Sequence, residues 1–302
     1  MGFLFSIFFT AKLYSQLIDN DILGRIEIRT FFNYVMKKTW LVQTRIGLSL
    51  KDLTGEGNLQ EYELESYIRD LVPELPQLKQ IQEPFTNYYV HTVVRKFFFF
   101  LDPFRVNRVR IMDVLASGFL DSLSDLRNTN LTEIQLSENW FSAQSVIRIY
   151  TSYIQLDEDK NGLLSKNELA GYAKGILTEE FIDRVFQEFL TYNGQMDYKS
   201  YLDFVLAMEN KSEPQSIGYF FRAFDIAGKG KLTYVVLKYF YDGITRRLVQ
   251  TGSKEIVPFE DILTEIFDMG ETVISLLIDV QGFLMYENRE ALVAESIEEA
   301  EL

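Results

Sequence analysis

Twelve consecutive residues have the types and spacing to do chemistry: Asp157-Glu158-Asp159-Lys160-Asn161-Gly162-Leu163-Leu164-Ser165-Lys166-Asn167-Glu168. Oxygen-bearing side chains stand at the first, third, fifth, ninth and twelfth places as Asp157, Asp159, Asn161, Ser165 and Glu168, and Leu163 at the seventh offers its carbonyl. A hard divalent cation takes such an all-oxygen set, with a water commonly intervening at the ninth place and the twelfth carboxylate binding through both oxygens. Gly162 fills the sixth place, where the sharp turn needs a residue without a Cβ. Leu164, the eighth, is the apolar residue that pairs in a short strand with a neighbouring loop. An acidic surface loop that binds nothing rarely meets all of these constraints together, so the spacing points to calcium.

Such a loop must be held between two helices, and the flanks supply them. Ser142 is placed to cap an entering helix that runs to Leu156, with Val146, Ile149, Tyr150 and Tyr153 at helical spacing facing inward. A short exiting helix follows from Asn167 to Tyr172 and breaks near Gly171 and Gly175. This is the EF-hand pattern. The same frame recurs in degenerate form at 19–30, 52–63, 102–113 and 225–236. In 19–30, Leu23 and Thr30 replace two ligands. In 52–63, Asp52, Thr54, Glu56, Gly57, Leu59 and Glu63 fill the frame with compromises at the third and fifth places, so calcium there is left open. Ile26 and Leu59 are expected to pair as the two eighth residues of one unit. Pro103, Phe104, Val106 and Arg108 make 102–113 metal-free. In 225–236, Ala227, Lys229 and Val236 remove the chemistry while Gly230 and Leu232 keep the shape. Met196, in the shortened loop 191–198, is the expected strand partner of Leu164.

The expected fold is therefore all-α: tandem helix–loop–helix units in two lobes, most loops degenerate, with short strand pairing between loops. Residues 1–124 form an N-terminal lobe, the polar stretch 125–139 a hinge, and 140–302 a C-terminal lobe. Helices are expected over 30–50, 87–101 and 115–126, and over 259–269 and 272–292 with a turn at Gln281-Gly282.

The 302 residues, 47% hydrophobic and 15% aromatic, suffice for a sizeable core, and 25 Phe and 17 Tyr suit helices packed through rings. A net charge of −14 argues against nucleic acid, whose phosphates need a basic surface. There is no cysteine, which excludes disulfides and thiolate metal sites and suits a reducing cytosol or nucleus. No apolar run is long enough to span a bilayer. Met1 to Ser6 fits the myristoylation pattern formally, but the bulky Phe3 weakens it and a helix start is the preferred reading. The one histidine, His91, cannot build a histidine metal site or a Cys–His dyad, and no phosphate loop, nucleophile elbow or kinase signature is present. The sequence is read as non-enzymatic.

Several long runs carry a family likeness: Phe31-Phe32-Asn33-Tyr34-Val35-Met36-Lys37-Lys38-Thr39-Trp40, Gln43-Thr44-Arg45-Ile46-Gly47-Leu48-Ser49-Leu50, Val94-Arg95-Lys96-Phe97-Phe98-Phe99-Phe100-Leu101-Asp102, Asn139-Trp140-Phe141-Ser142, Tyr201-Leu202-Asp203-Phe204-Val205-Leu206-Ala207 and Tyr286-Glu287-Asn288-Arg289-Glu290-Ala291-Leu292. From about Phe8 onward the chain resembles the B-double-prime regulatory subunits of protein phosphatase 2A, most closely their gamma type. The resemblance implies a non-catalytic, calcium-binding subunit. Such a subunit docks on the HEAT-repeat scaffold and the catalytic subunit and directs dephosphorylation of phosphoserine and phosphothreonine proteins. It implies the cytoplasm and nucleus, with the centrosome or microtubules as a further site. The family's calcium ligands fall here on Asp157, Asp159, Asn161, Leu163, Ser165 and Glu168. The chain departs from the family pattern at its short start and at the Gly270-Glu271 junction, where relatives carry an intervening segment. The alternative is an EF-hand adaptor that meets cytoskeletal or centrosomal partners without the phosphatase. Neither reading requires nucleic acid or a membrane.

Overall fold

The computed structural model describes residues 9–18, 23–79, 81–250, 257–268, 277–279 and 283. The frame expected at 19–30 lies partly outside these residues. The Gly270 junction, the myristoylation pattern, the turn at 281–282 and most of the helix expected from Thr272 lie outside them too.

Helices follow one another with one small sheet between them: α1 (Ala11–Leu17), α2 (Ile28–Lys51), β1 (Asn58–Leu59), α3 (Glu61–Leu71), α4 (Glu83–Leu101), β2 (Val109–Arg110), α5 (Ile111–Ala116), α6 (Phe119–Asp125), α7 (Glu133–Glu138) and α8 (Ala143–Leu156). Then come α9 (Lys166–Leu169), α10 (Glu179–Glu188), α11 (Tyr198–Glu209), α12 (Pro214–Phe224), α13 (Tyr234–Gln250) and α14 (Phe259–Asp268). Local chemistry sets the ends. Ser142 Oγ accepts from the Ser145 N–H at 3.0 Å to start α8, and Asp197 accepts from the Ser200 N–H at 2.9 Å to start α11. The expected helix over 115–126 is two helices, because Ser117 turns extended at ψ 141° between α5 and α6.

Helix α4 is the centre of the molecule. Tyr89, Val90, Val93, Val94, Phe97, Phe98 and Phe99 are all buried, which takes in most of its circumference, as a helix packed on several sides requires. It packs against α3, α8 and α11. One buried apolar cluster runs from Trp40 on α2 to Phe283. Aromatic rings carry this core across the expected joint at 125–139: Phe97 stacks on Phe141 at 5.8 Å between centroids and meets Phe119 edge-on at 5.7 Å. Within that stretch Thr132 caps α7 with a reciprocal capping box.

Polar contacts add to the seam between α4 and α11. Asp203 receives Arg95 through both carboxylate oxygens, with Nη2 at 2.7 and 2.8 Å and Nε at 3.1 Å. The Arg95 Nη1 also reaches Glu61 at 3.4 Å. Thr92 and Tyr198 share a hydrogen bond of 2.9 Å, and the Trp140 indole N–H donates to the Thr92 carbonyl at 3.2 Å.

One expectation about pairing is corrected. Leu59 pairs with Val109, and Asn58 with Arg110, so loop 52–63 lies against loop 102–113 and not against Ile26. The reason is length: α2 has 24 residues, and at ~1.5 Å per residue it sets the loops at its two ends about 36 Å apart. Ile26 instead lines an apolar hollow with Leu13, Tyr14 and Phe31.

Candidate metal centre

The loop 157–168 joins α8 to α9 and is fixed at its edge by an antiparallel bridge. Leu164 N–H donates to the Met196 carbonyl at 2.8 Å, and Met196 N–H returns the bond at 2.7 Å. Both side chains are buried, so the apolar eighth residue anchors the loop in the core. Gly162 adopts φ +81°, the left-handed region open to glycine, with no atom within 4 Å of where a Cβ would stand.

Three of the predicted ligands converge. Asp157, Asp159 and Glu168 each offer a carboxylate oxygen, and these oxygens lie within 4.8 Å of one another. Like charges this close repel, and backbone N–H groups hold them in place. Gly162 N–H donates to Asp157 Oδ2 at 3.0 Å, and Asn161 N–H to Asp157 Oδ1 at 3.1 Å and Asp159 Oδ1 at 3.0 Å. Glu168 folds back across the loop: Oε1 accepts from the Glu158 N–H at 2.9 Å, and Oε2 from the Ser165 N–H at 2.8 Å and hydroxyl at 2.7 Å. Burial pushes the Glu168 carboxyl up, but the hydrogen bonds from Ser165, Asp159 and Glu158 outweigh it and hold its pKa below the usual glutamate value.

Of the other predicted residues, Asn161 and Ser165 spend their side-chain polar atoms inside the loop. Asn161 Nδ2 donates to Asp159 Oδ2 at 2.8 Å, while its Oδ1 accepts the Leu163 N–H at 2.7 Å. Tyr153 makes a contribution that the spacing does not reveal: its hydroxyl donates to the Gly162 carbonyl at 2.7 Å and ties the turn to α8. Helical periodicity puts this residue on the inward face of α8, but carries no sign of where its polar tip ends. The donor set is all oxygen, the set a hard cation takes. The exiting helix α9 is a single turn, after which Ala173 enters positive φ at 46° and Gly175 at 77°.

Loop 52–63 repeats this wiring in part. Gly57 N–H donates to Asp52 Oδ2 at 2.7 Å, and Glu63 receives the Leu53 and Gln60 N–H groups at 3.0 and 2.7 Å. Its third residue, Thr54, donates its hydroxyl to Asp52, and Glu56 at the fifth place faces Arg108 at 3.7 Å. Loops 102–113 and 225–236 keep the wiring of the first carboxylate: Asp102 accepts from the Val106 and Asn107 N–H groups at 3.0 and 2.7 Å, and Asp225 from the Lys229 and Gly230 N–H groups at 3.0 and 2.6 Å. Asn107 takes φ 57° in place of a glycine, as asparagine tolerates. His91 contacts Glu65 through Nδ1 at 3.0 Å.

Comparison with known proteins gives the chain its relatives. No model of a protein family matches it. Over 306 residues it is 51% identical to the gamma-type B″ regulatory subunit of serine/threonine-protein phosphatase 2A from Xenopus tropicalis, covering 95% of this chain and 68% of that one. The Homo sapiens protein of the same description is 50% identical over 310 residues, covering 96% and 68%. TON2 of Arabidopsis thaliana, described as a probable B″ regulatory subunit of the same phosphatase, is 38% identical over 306 residues, covering 92% and 64%. Among solved structures, a chain of a PP2A PR70 holoenzyme superposes with a TM-score of 0.68 at 24% identity, over 78% of this chain and 96% of that one, which is a likeness of fold. Half-identity sustained over nearly the whole chain places it in the family of B″ regulatory subunits of serine/threonine-protein phosphatase 2A, whose members are regulatory and not catalytic.

Proposed function

We propose that this chain is a calcium-binding EF-hand subunit that docks on the scaffold and catalytic subunits of protein phosphatase 2A and directs them to phosphoserine and phosphothreonine proteins. The observation that carries the calcium part is the convergence of Asp157, Asp159 and Glu168 within 4.8 Å, pre-held by backbone N–H groups. In that reading Asn161 and Ser165 turn their side-chain oxygens to the ion and Leu163 adds its carbonyl. The ion orders the loop because it binds only the ordered form. Loop 52–63 pairs with 102–113, and 157–168 with 191–198, as the two units of a two-lobed chain.

Family membership supports the phosphatase part. A surface of suitable chemistry lies along α2, where Ile28, Phe32, Met36, Val42, Ile46 and Leu50 form an exposed apolar stripe at helical spacing. A helix laid into a hydrophobic groove of a helical-repeat scaffold uses this spacing. The test is capture of the purified chain by purified scaffold subunit, with calcium and with chelator, for wild type and for Phe32→Asp/Ile46→Asp. Capture that the double variant loses supports the reading. No capture of wild type under either condition would favour an adaptor that works without the phosphatase.

A further inference from the structure

A cleft of about 460 Å³ opens between the C-terminal end of α4, the following loop, α11 and α12, on a part of the molecule separate from the acidic loop 157–168. Its lining includes Arg95, Arg105 and Arg222 together with Phe98, Phe104 and Tyr219. Three guanidinium groups at one cleft stand out on a chain of net charge −14. Two acids face them, and both are committed. Asp203 is held by Arg95 through both of its oxygens, and Asp102 accepts the N–H groups of Val106 and Asn107 at 3.0 and 2.7 Å.

The arginines differ in what they have left to give. Arg95 has Nε, Nη1 and Nη2 all engaged and belongs to the seam. The Arg105 guanidinium donates one hydrogen bond among the described residues, a long 3.4 Å contact with Asp203, and the Arg222 guanidinium donates one, to the Glu188 carbonyl at 2.7 Å. Both lie over the same ring pair. Phe189 and Tyr219 stack at 3.9 Å, with Arg105 5.6 Å and Arg222 5.0 Å from the Phe189 centroid. That stacking fixes the two forks while most of their N–H donors remain open.

Two buried polar atoms at the cleft have no hydrogen-bond partner among the described residues: the Tyr219 hydroxyl and Gln215 Oε1. Tyr219 is 2% exposed, and burial pushes its phenol pKa up, so it is a donor at every ordinary pH. Gln215 holds its amide nitrogen on the Phe100 carbonyl at 3.1 Å, which presents the oxygen as an acceptor. Leaving such atoms unpaired is unfavourable, so a ligand that satisfies them is favoured.

We propose that this cleft binds a phosphorylated serine or threonine segment of a partner protein. Two guanidinium forks and a phenol hydroxyl match the three oxygens of a phosphate monoester better than the two of a carboxylate. The acceptor at Gln215 suits a backbone N–H of the same segment, which inorganic phosphate lacks. Phe98 and Phe104 supply an apolar wall for a flanking side chain. The proposal rests on the phosphatase reading only for the kind of partner. Binding is measured on the full chain alone, so its failure leaves the scaffold-capture result standing.

The test is fluorescence anisotropy of the full chain with labelled degenerate nonapeptides centred on phosphothreonine, on threonine or on glutamate, with inorganic phosphate as competitor. The phosphothreonine library binds at least about tenfold tighter than the other two. Arg105→Ala/Arg222→Ala removes that preference, Tyr219→Phe weakens it by about threefold, and Arg148→Ala, which breaks a surface pair with Glu209, leaves it unchanged. Arg105 and Arg222 are exposed, so their loss spares the fold, and Tyr219→Phe deletes one oxygen. Equal binding of the threonine or glutamate library overturns the proposal. So does displacement by inorganic phosphate at matched concentration, or undiminished preference in the double-arginine variant.

Discussion

Asp203→Ala probes the ion pair between α4 and α11. Arg95 and Asp203 are 108 residues apart in the chain, and their side chains keep 16% and 10% of their exposure. Burial works against the Arg95 charge, and Asp203 and then Glu61 restore it, so its pKa stays above the usual arginine value. Removing the aspartate leaves a guanidinium in a poorly solvated seam with one long contact, Glu61 at 3.4 Å. Orphaning a buried charge costs about 3–5 kcal/mol. Residual exposure and the surviving Glu61 place this case at the lower end, about 3 kcal/mol. Replacing both partners, as Arg95→Met/Asp203→Leu, removes the stranded charge with the pair and comes within about 1 kcal/mol of wild type. Urea unfolding followed by near-UV circular dichroism reads both variants. A loss under about 1 kcal/mol for Asp203→Ala, or a double variant worse than the single, would refute the view that this pair is a committed element of the seam.

Other expectations follow from the loop and its surroundings. Leu164→Ala keeps the backbone bridge to Met196 but empties a fully buried site, and lowers stability by about 3 kcal/mol in denaturant titration. Gly162→Ala meets no neighbour, so only its φ of +81° resists the change; the cost in chelator is about 1 kcal/mol, and calcium affinity falls with it. Glu65 has its pKa lowered from 4.5 to about 2, because hydrogen bonds from His91 and Lys199 outweigh the upward push of burial. A depressed carboxylate stabilises the fold in full above its unfolded pKa. Its contribution is lost as pH falls from about 4.5 towards 2. A Glu65→Gln variant shows a flatter fall of stability over that window in urea melts.

The acidic loop was legible because its chemistry is written in twelve adjacent residues at fixed spacing, and the Leu164–Met196 bridge followed from the same frame. The partner of Leu59 was not. Sequence order makes Ile26 the nearer eighth residue, and only the unbroken length of α2 shows that the two cannot meet. The 25 Phe and 17 Tyr were legible as helices packed through rings. Which rings they meet across the chain, Phe97 on Phe141 above all, depends on tertiary packing that no local period encodes. The same holds for Arg95 with Asp203 and for the arginine cleft, where residues from α4, the following loop and α12 become neighbours only in the fold. The extended turn at Ser117 does have a local signal, the Ser117-Gly118 dipeptide, which the helical rhythm of Leu115 to Leu126 on both sides of it masks.

Calcium titration calorimetry of wild type and Glu168→Ala asks whether loop 157–168 is an ion site. Wild type shows a binding event with a Kd of about 10⁻⁷ to 10⁻⁵ M, and affinity falls by at least about a hundredfold when the twelfth-position carboxylate is removed. Equal calcium binding by the two proteins would contradict it.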